Sequence, residues 1–141
     1  MAKLLNFISL KLIPDRKIIL QQIFKMETND LKDRQDLINK YLYLTREVLP
    51  SLARSKRTIW PVRNDHCFQR IVLDNLCGGV WYNYLDRPAY KHLTNEQAKR
   101  AIDLCCLIED GRADIHALNN QSLIWRGKRP RSLEVKFPIK A

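Results

Sequence analysis

Glycine is scarce in this chain: four residues in 141, at positions 78, 79, 111 and 127. A phosphate cradle made of backbone amides needs glycines in series, and neither a Walker loop nor a Gly-x-Gly-x-x-Gly run occurs. That removes most nucleotide-enzyme frameworks. Cysteine is equally thin, with four residues at 67, 77, 105 and 106 and no Cys-x-x-Cys pair. The adjacent Cys105 and Cys106 could close only a strained ring. Reduced thiols in a cytoplasmic protein are therefore expected. No apolar run reaches the roughly 18 residues that suggest a membrane span. Strand-like alternation is confined to Glu134 to Ile139, where Pro138 limits it to a sheet edge. The last shortage is of acid: 15 Asp and Glu against 25 Lys and Arg, a formal net charge of +10. Such a chain is attracted to polyanions, among them nucleic acid, anionic lipid and phosphorylated ligands.

What is present is helical periodicity. Residues 1–25 carry five basic groups and only Asp15, a composition that suits a transit peptide or a basic extension ahead of a start at Met26. Asp15 can cap a short amphipathic helix over RKIILQQIFKM. That helix would lie on the domain surface or anchor to a membrane surface. Asn29 or Asp30 can cap a second helix over 30–49, with Leu31, Leu37, Ile38, Tyr41, Leu42, Leu44, Val48 and Leu49 on one broad face. Pro50 should end it. A further helix over 66–77, capped by Asn64 or Asp65, should bury Phe68, Ile71, Val72 and Leu76. Gly78-Gly79 should stop that helix, and Asp86-Arg87-Pro88 reads as a turn. Thr94 and Gln97 form a capping box for a helix over 95–110. The last helix should cover 113–125.

The expected fold is all-α. It is a compact bundle of four to five helices with an irregular aromatic-rich loop region and a flexible basic C-terminal tail. The expected organisation is a basic N-terminal segment over 1–28, a single helical domain over 29–127 and a basic tail over 128–141.

Costly side chains gather between Trp60 and Leu93, a stretch with two of the three Trp, two of the three His and three of the five Tyr. Asp65, His66, Arg70, Asp74, Arg87, Lys91 and His92 stand there beside Trp60, Trp81 and Tyr90. Asn119, Ser122 and Arg126 recur at intervals of three and four on the last helix. Two readings fit. These groups are solvated faces plus ion pairs such as Arg70 with Asp74 four residues on, or they form a pocket where Arg and His receive an anion against an aromatic wall. The pocket reading takes Asp65, His66, Arg70, Asp74, Trp81, Arg87, Lys91, His92, Asn119, Ser122 and Arg126 as candidate ligand-binding residues. Arg54, Lys56, Arg57, Arg63, Lys128, Arg129 and Arg131 are the candidates for polyanion contact. His66, Cys67, Cys77 and His92 match no familiar zinc spacing, so no metal is expected. Cys67 or Cys77 could act as a nucleophile only if folding brought His92 or His116 beside it.

The segments WPVRNDHCFQRIVLDN, RPAYKHLT and GRADIHALNNQSLIWRGK resemble a family of small bacterial proteins, over roughly residues 44–128. Members of that family are often labelled N-acetyltransferases of the acetyl-CoA-dependent GNAT superfamily. The label implies acetyl transfer with acetyl-CoA as cofactor, on a strand-rich α/β fold with an Arg/Gln-x-x-Gly-x-Gly/Ala loop. No stretch here matches that loop, so no catalytic residue is carried over. Apart from that implication no cofactor is expected. The residues alone favour a small basic all-α binding protein for a polyanion, either nucleic acid or a phosphorylated ligand. The alternative is an enzyme or small-ligand binder. Spacing and composition leave open whether the chain is an enzyme and what its oligomeric state is.

Overall fold

A computed structural model describes residues 15–55 and 59–130. Among these residues there is no strand, and helix dominates. The chain divides between Gln35 and Asp36 into two units. Helix α1, Arg16–Tyr43, runs through that point. Its first turn closes on the Asp15 carbonyl, which accepts from Ile19 N–H at 3.0 Å.

In the first unit no described residue is buried, and Ile18, Leu20, Ile23, Phe24, Met26 and Leu31 are exposed. Two expectations change here. The separate helix starting at Asn29 or Asp30 does not exist, because α1 continues through both. Thr28 Oγ1 donates to the Phe24 carbonyl at 2.8 Å, back along its own helix, and no Gly or Pro interrupts residues 16–43. Leu31, expected on the buried face, is 68% exposed.

In the second unit burial begins at Ile38 and Tyr41. Pro50 does not end the helix as expected. The backbone widens into a π turn over Leu44–Val48, in which Leu49 N–H reaches the Leu44 carbonyl five residues back. Helix α2, Leu49–Arg54, then starts with Pro50 in its first turn. A proline in a regular helix removes a donor and presses its ring on the carbonyl four residues back; in a first turn neither penalty applies.

Helix α3, Asp65–Cys77, is the centre of the second unit and packs against α2, α5 and α6. Phe68, Ile71, Val72 and Leu73 are buried on it, with Leu76 half-buried. Asp74, expected either in an ion pair with Arg70 or in a pocket, has no exposure at all. Gly78 takes a left-handed φ of 76°, open to glycine at no steric cost. Gly79 lets Tyr84 approach: a Cβ there would meet the Tyr84 hydroxyl oxygen at 3.0 Å. Residues 80–88 hold one 3-10 turn, Trp81–Asn83.

A single helical turn, α4, covers Ala89–His92. Helix α5, Asn95–Glu109, begins with both bonds of the expected capping box: Gln97 N–H to Thr94 Oγ1 at 3.0 Å and Thr94 N–H to Gln97 Oε1 at 2.8 Å. Helix α6, Ile115–Trp125, is capped by Asp114, whose carboxylate accepts from His116 and Ala117 N–H. The core joins Tyr41, Leu44 and Leu49 to Phe68, Ile71, Val72, Leu93, Ala98, Ala101, Cys105, Ile108 and Ile115. The expected alternation at Glu134 to Ile139 and most of the expected tail lie outside the described residues, as do Lys56, Arg57 and Arg131.

Candidate functional site

Asp74 organises the polar chemistry. Moving a carboxylate out of water costs several kcal/mol unless charge and hydrogen bonds compensate it. Here both oxygens are fully used. Oδ1 accepts from Trp81 N–H at 2.9 Å and Arg126 Nη2 at 3.0 Å; Oδ2 accepts from Arg126 Nε at 2.7 Å and Ser122 Oγ at 2.6 Å. The Arg126 fork is bidentate, the strongest geometry available to this pair. That bond holds the Arg126 guanidinium above its usual pKa.

The network then turns toward a second arginine. A hydroxyl has one proton, and Ser122 gives its own to Asp74. It must therefore accept from Arg70, whose Nη1 lies 2.6 Å away. Arg70 Nη2 donates to Asn119 Oδ1 at 2.7 Å. Ser122 and Asn119 are both buried on α6, so two neutral side chains of one helix orient an arginine of another. The i to i+4 spacing had offered Arg70 as the partner for Asp74; the ion pair instead comes from Arg126, 52 residues on.

Arg70 lines a cavity of about 370 Å³ inside the second unit. Around it stand Arg46 from the π turn, His66, Gln69 and Leu73 from α3, Trp81 and Arg87 from the aromatic loop, and Tyr90 from α4. Tyr41, Leu42, Pro88 and Ala89 complete the wall. Three arginines are present and no Asp or Glu is among the described lining residues. Arg46 and Arg87 are steadied by aromatic rings. Arg87 lies 4.7 Å from the Tyr82 ring centroid and 5.7 Å from that of Trp81; Arg46 lies 5.8 Å from that of Tyr90. Neither Arg46 nor Arg87 has a carboxylate partner among the described residues. Arg126, the arginine that Asp74 neutralises, is not in the lining. Burial raises the Tyr41 hydroxyl far above its ordinary pKa, so it stays protonated.

Of the residues expected at a site, His66, Arg70, Trp81 and Arg87 line the cavity, and Asp74, Asn119, Ser122 and Arg126 form the network behind it. Asp65 is exposed at the start of α3, where its carboxylate accepts from His66 N–H at 2.7 Å. Lys91 and His92 are exposed and outside the lining. Trp60 is elsewhere too, edge-on to Phe68 at 5.7 Å. His116 turns its Nε2 to the Ile59 carbonyl at 2.9 Å. Sequence reasoning missed Tyr41, Gln69 and Arg46. The signal for Arg46 was its four-residue spacing from Leu42, masked by reading that face as purely apolar.

Two of the thiols, Cys77 and Cys105, are poorly suited to nucleophilic work. Burial raises Cys77, and the Asp74 charge adds to it; burial pushes Cys105 up to about 12. Among the described residues no group of three or more His, Cys, Asp or Glu could hold a metal ion, and no helix is long and apolar enough to cross a membrane. Of the polyanion candidates, Arg54, Arg63, Lys128 and Arg129 are exposed.

No protein-family model, curated protein or solved structure matches the chain.

Proposed function

We propose that this protein binds a small anionic ligand in the cavity lined by Arg46, Arg70 and Arg87. One observation carries the reading: three arginines from three parts of the chain line a cavity that has no carboxylate among its described lining residues. Arg46 and Arg87, held by aromatic faces and without a carboxylate partner among the described residues, keep their charge for an incoming anion. Arginine's planar fork suits phosphate and carboxylate oxygens. The cavity's volume falls in the range of small-molecule sites, which combine apolar walls with a few placed polar groups. The net charge of +10 and the exposed Arg54, Arg63, Lys128 and Arg129 attract anions from a distance and speed encounter.

A thermal-shift panel of phosphate esters, carboxylates and their neutral analogues tests the reading, because a ligand bound only by the folded state raises the melting temperature. Stabilisation by anions and none by neutral analogues is expected. No shift with any anion would defeat it. Acetyl-CoA, which the family resemblance implies, carries phosphate groups and belongs in the same panel. Retained binding of acetyl-CoA with turnover of an amine acceptor would make the site an acetyltransferase site.

A further inference from the structure

We infer that the ligand is a nucleoside monophosphate, free or at the end of a nucleic-acid strand. The inference rests on the anion-binding reading and adds the rest of the ligand to it. Arg46 and Arg87, two lining cations with no carboxylate partner among the described residues, suit a dianion with several terminal oxygens, which a phosphate monoester supplies and a single carboxylate does not. A cavity of about 370 Å³ has room for much more than phosphate. Its remaining wall includes Trp81, Tyr90, Pro88 and Leu73. Aromatic side chains of this kind stack on bases of any sequence.

Gln69 supplies the third element. Thr45 Oγ1 gives its one proton to the Tyr41 carbonyl at 3.0 Å, so it must accept from Gln69 Nε2 at 3.2 Å. That fixes which way the amide faces. Gln69 Oε1 is left as an acceptor, and since no buried side-chain nitrogen or oxygen of the described residues lacks a partner, it is open to solvent. Within a wall otherwise rich in donors, one amide oxygen selects a ligand that also carries an N–H or O–H, as nucleobases and riboses do.

Calorimetric titration of the full chain with AMP, ribose 5-phosphate, adenosine and inorganic phosphate tests this. AMP is expected to bind at least ten-fold more tightly than each of the other three. Trp81→Leu should abolish the advantage of AMP over ribose 5-phosphate, and Tyr90→Leu should reduce it. Ribose 5-phosphate equal to AMP in the unaltered chain would overturn the nucleoside assignment and leave the anion-binding reading standing. Adenosine equal to AMP, or no binding by any phosphate, would overturn both. A 5′-phosphorylated trinucleotide separates the two sources: tighter binding than AMP assigns the site to strand ends, and weaker binding assigns it to the free nucleotide.

Discussion

A carboxylate sealed from water persists only when every lone pair is engaged, and Asp74 meets that condition with four hydrogen bonds from Trp81, Ser122 and Arg126. Asp74→Asn keeps the shape and removes the charge, leaving Arg126 without its counterion. Breaking a buried pair from one side costs about 3–5 kcal/mol, and urea unfolding of the variant should show a loss of that size. Ser122→Ala is a subtler change. It should cost about 1–3 kcal/mol as an unmade buried hydrogen bond, and it should also weaken anion binding, because Arg70 loses one of its two α6 anchors. Stability and affinity measured on the same variant separate these effects.

Cys105 gives a pH signature. Its thiol is pushed up to about 12 from an ordinary value of 9.0, chiefly by burial. Between those values the unfolded chain has released a proton that the folded chain retains. Its contribution to stability is therefore complete below pH 9 and declines as pH rises toward 12. Urea midpoints measured from pH 8 to 10.5 should fall less steeply for Cys105→Ala than for the unaltered chain; equal slopes would contradict the assignment.

Much of this residue-level chemistry was visible as composition and spacing. Asn119, Ser122 and Arg126 already stood on one line of a helix, and Arg70 and Asp74 on one face of another. What spacing could not supply was the pairing across helices, because that depends on how α3 and α6 meet. His92 shows the same limit: its position near the cluster in sequence did not bring it into the cavity wall.

At the scale of elements, local chemistry was most legible where side chains bond their own backbone. The capping box of α5 was set by Thr94 and Gln97 alone, and Thr94→Ala should cost about 1 kcal/mol, measurable by thermal or urea unfolding. The glycine stop after Cys77 was equally local. The two element-level errors have physical causes. Thr28 bonds back to Phe24 instead of releasing the helix to a new cap at Asn29 or Asp30. Pro50 is absorbed by a π turn that places it in the first turn of α2. That turn also carries Arg46, so the irregularity that hid the helix's continuity presents one of the three cavity arginines.

At the scale of the whole molecule, the all-α fold was readable from periodicity and from the near absence of alternation. The strand-rich architecture implied by the acetyltransferase label is not seen among the described residues. Net charge said only that anions would be attracted; it did not say whether they meet a diffuse basic surface or one cavity. The structure places Arg46, Arg70 and Arg87 around a single cavity and leaves Arg54 and Arg63 exposed outside its lining. This distinction is the centre of the account. Calorimetry of phosphate-ester binding to two double variants, Arg46→Gln with Arg87→Gln and Arg54→Gln with Arg63→Gln, tests it at constant net charge. Each charge-assisted bond is worth about 1.5–3 kcal/mol, so the cavity pair should lose affinity by about a hundred-fold or more, and the surface pair by less than about five-fold. Equal losses in both, or a larger loss in the surface pair, would contradict a site in the cavity.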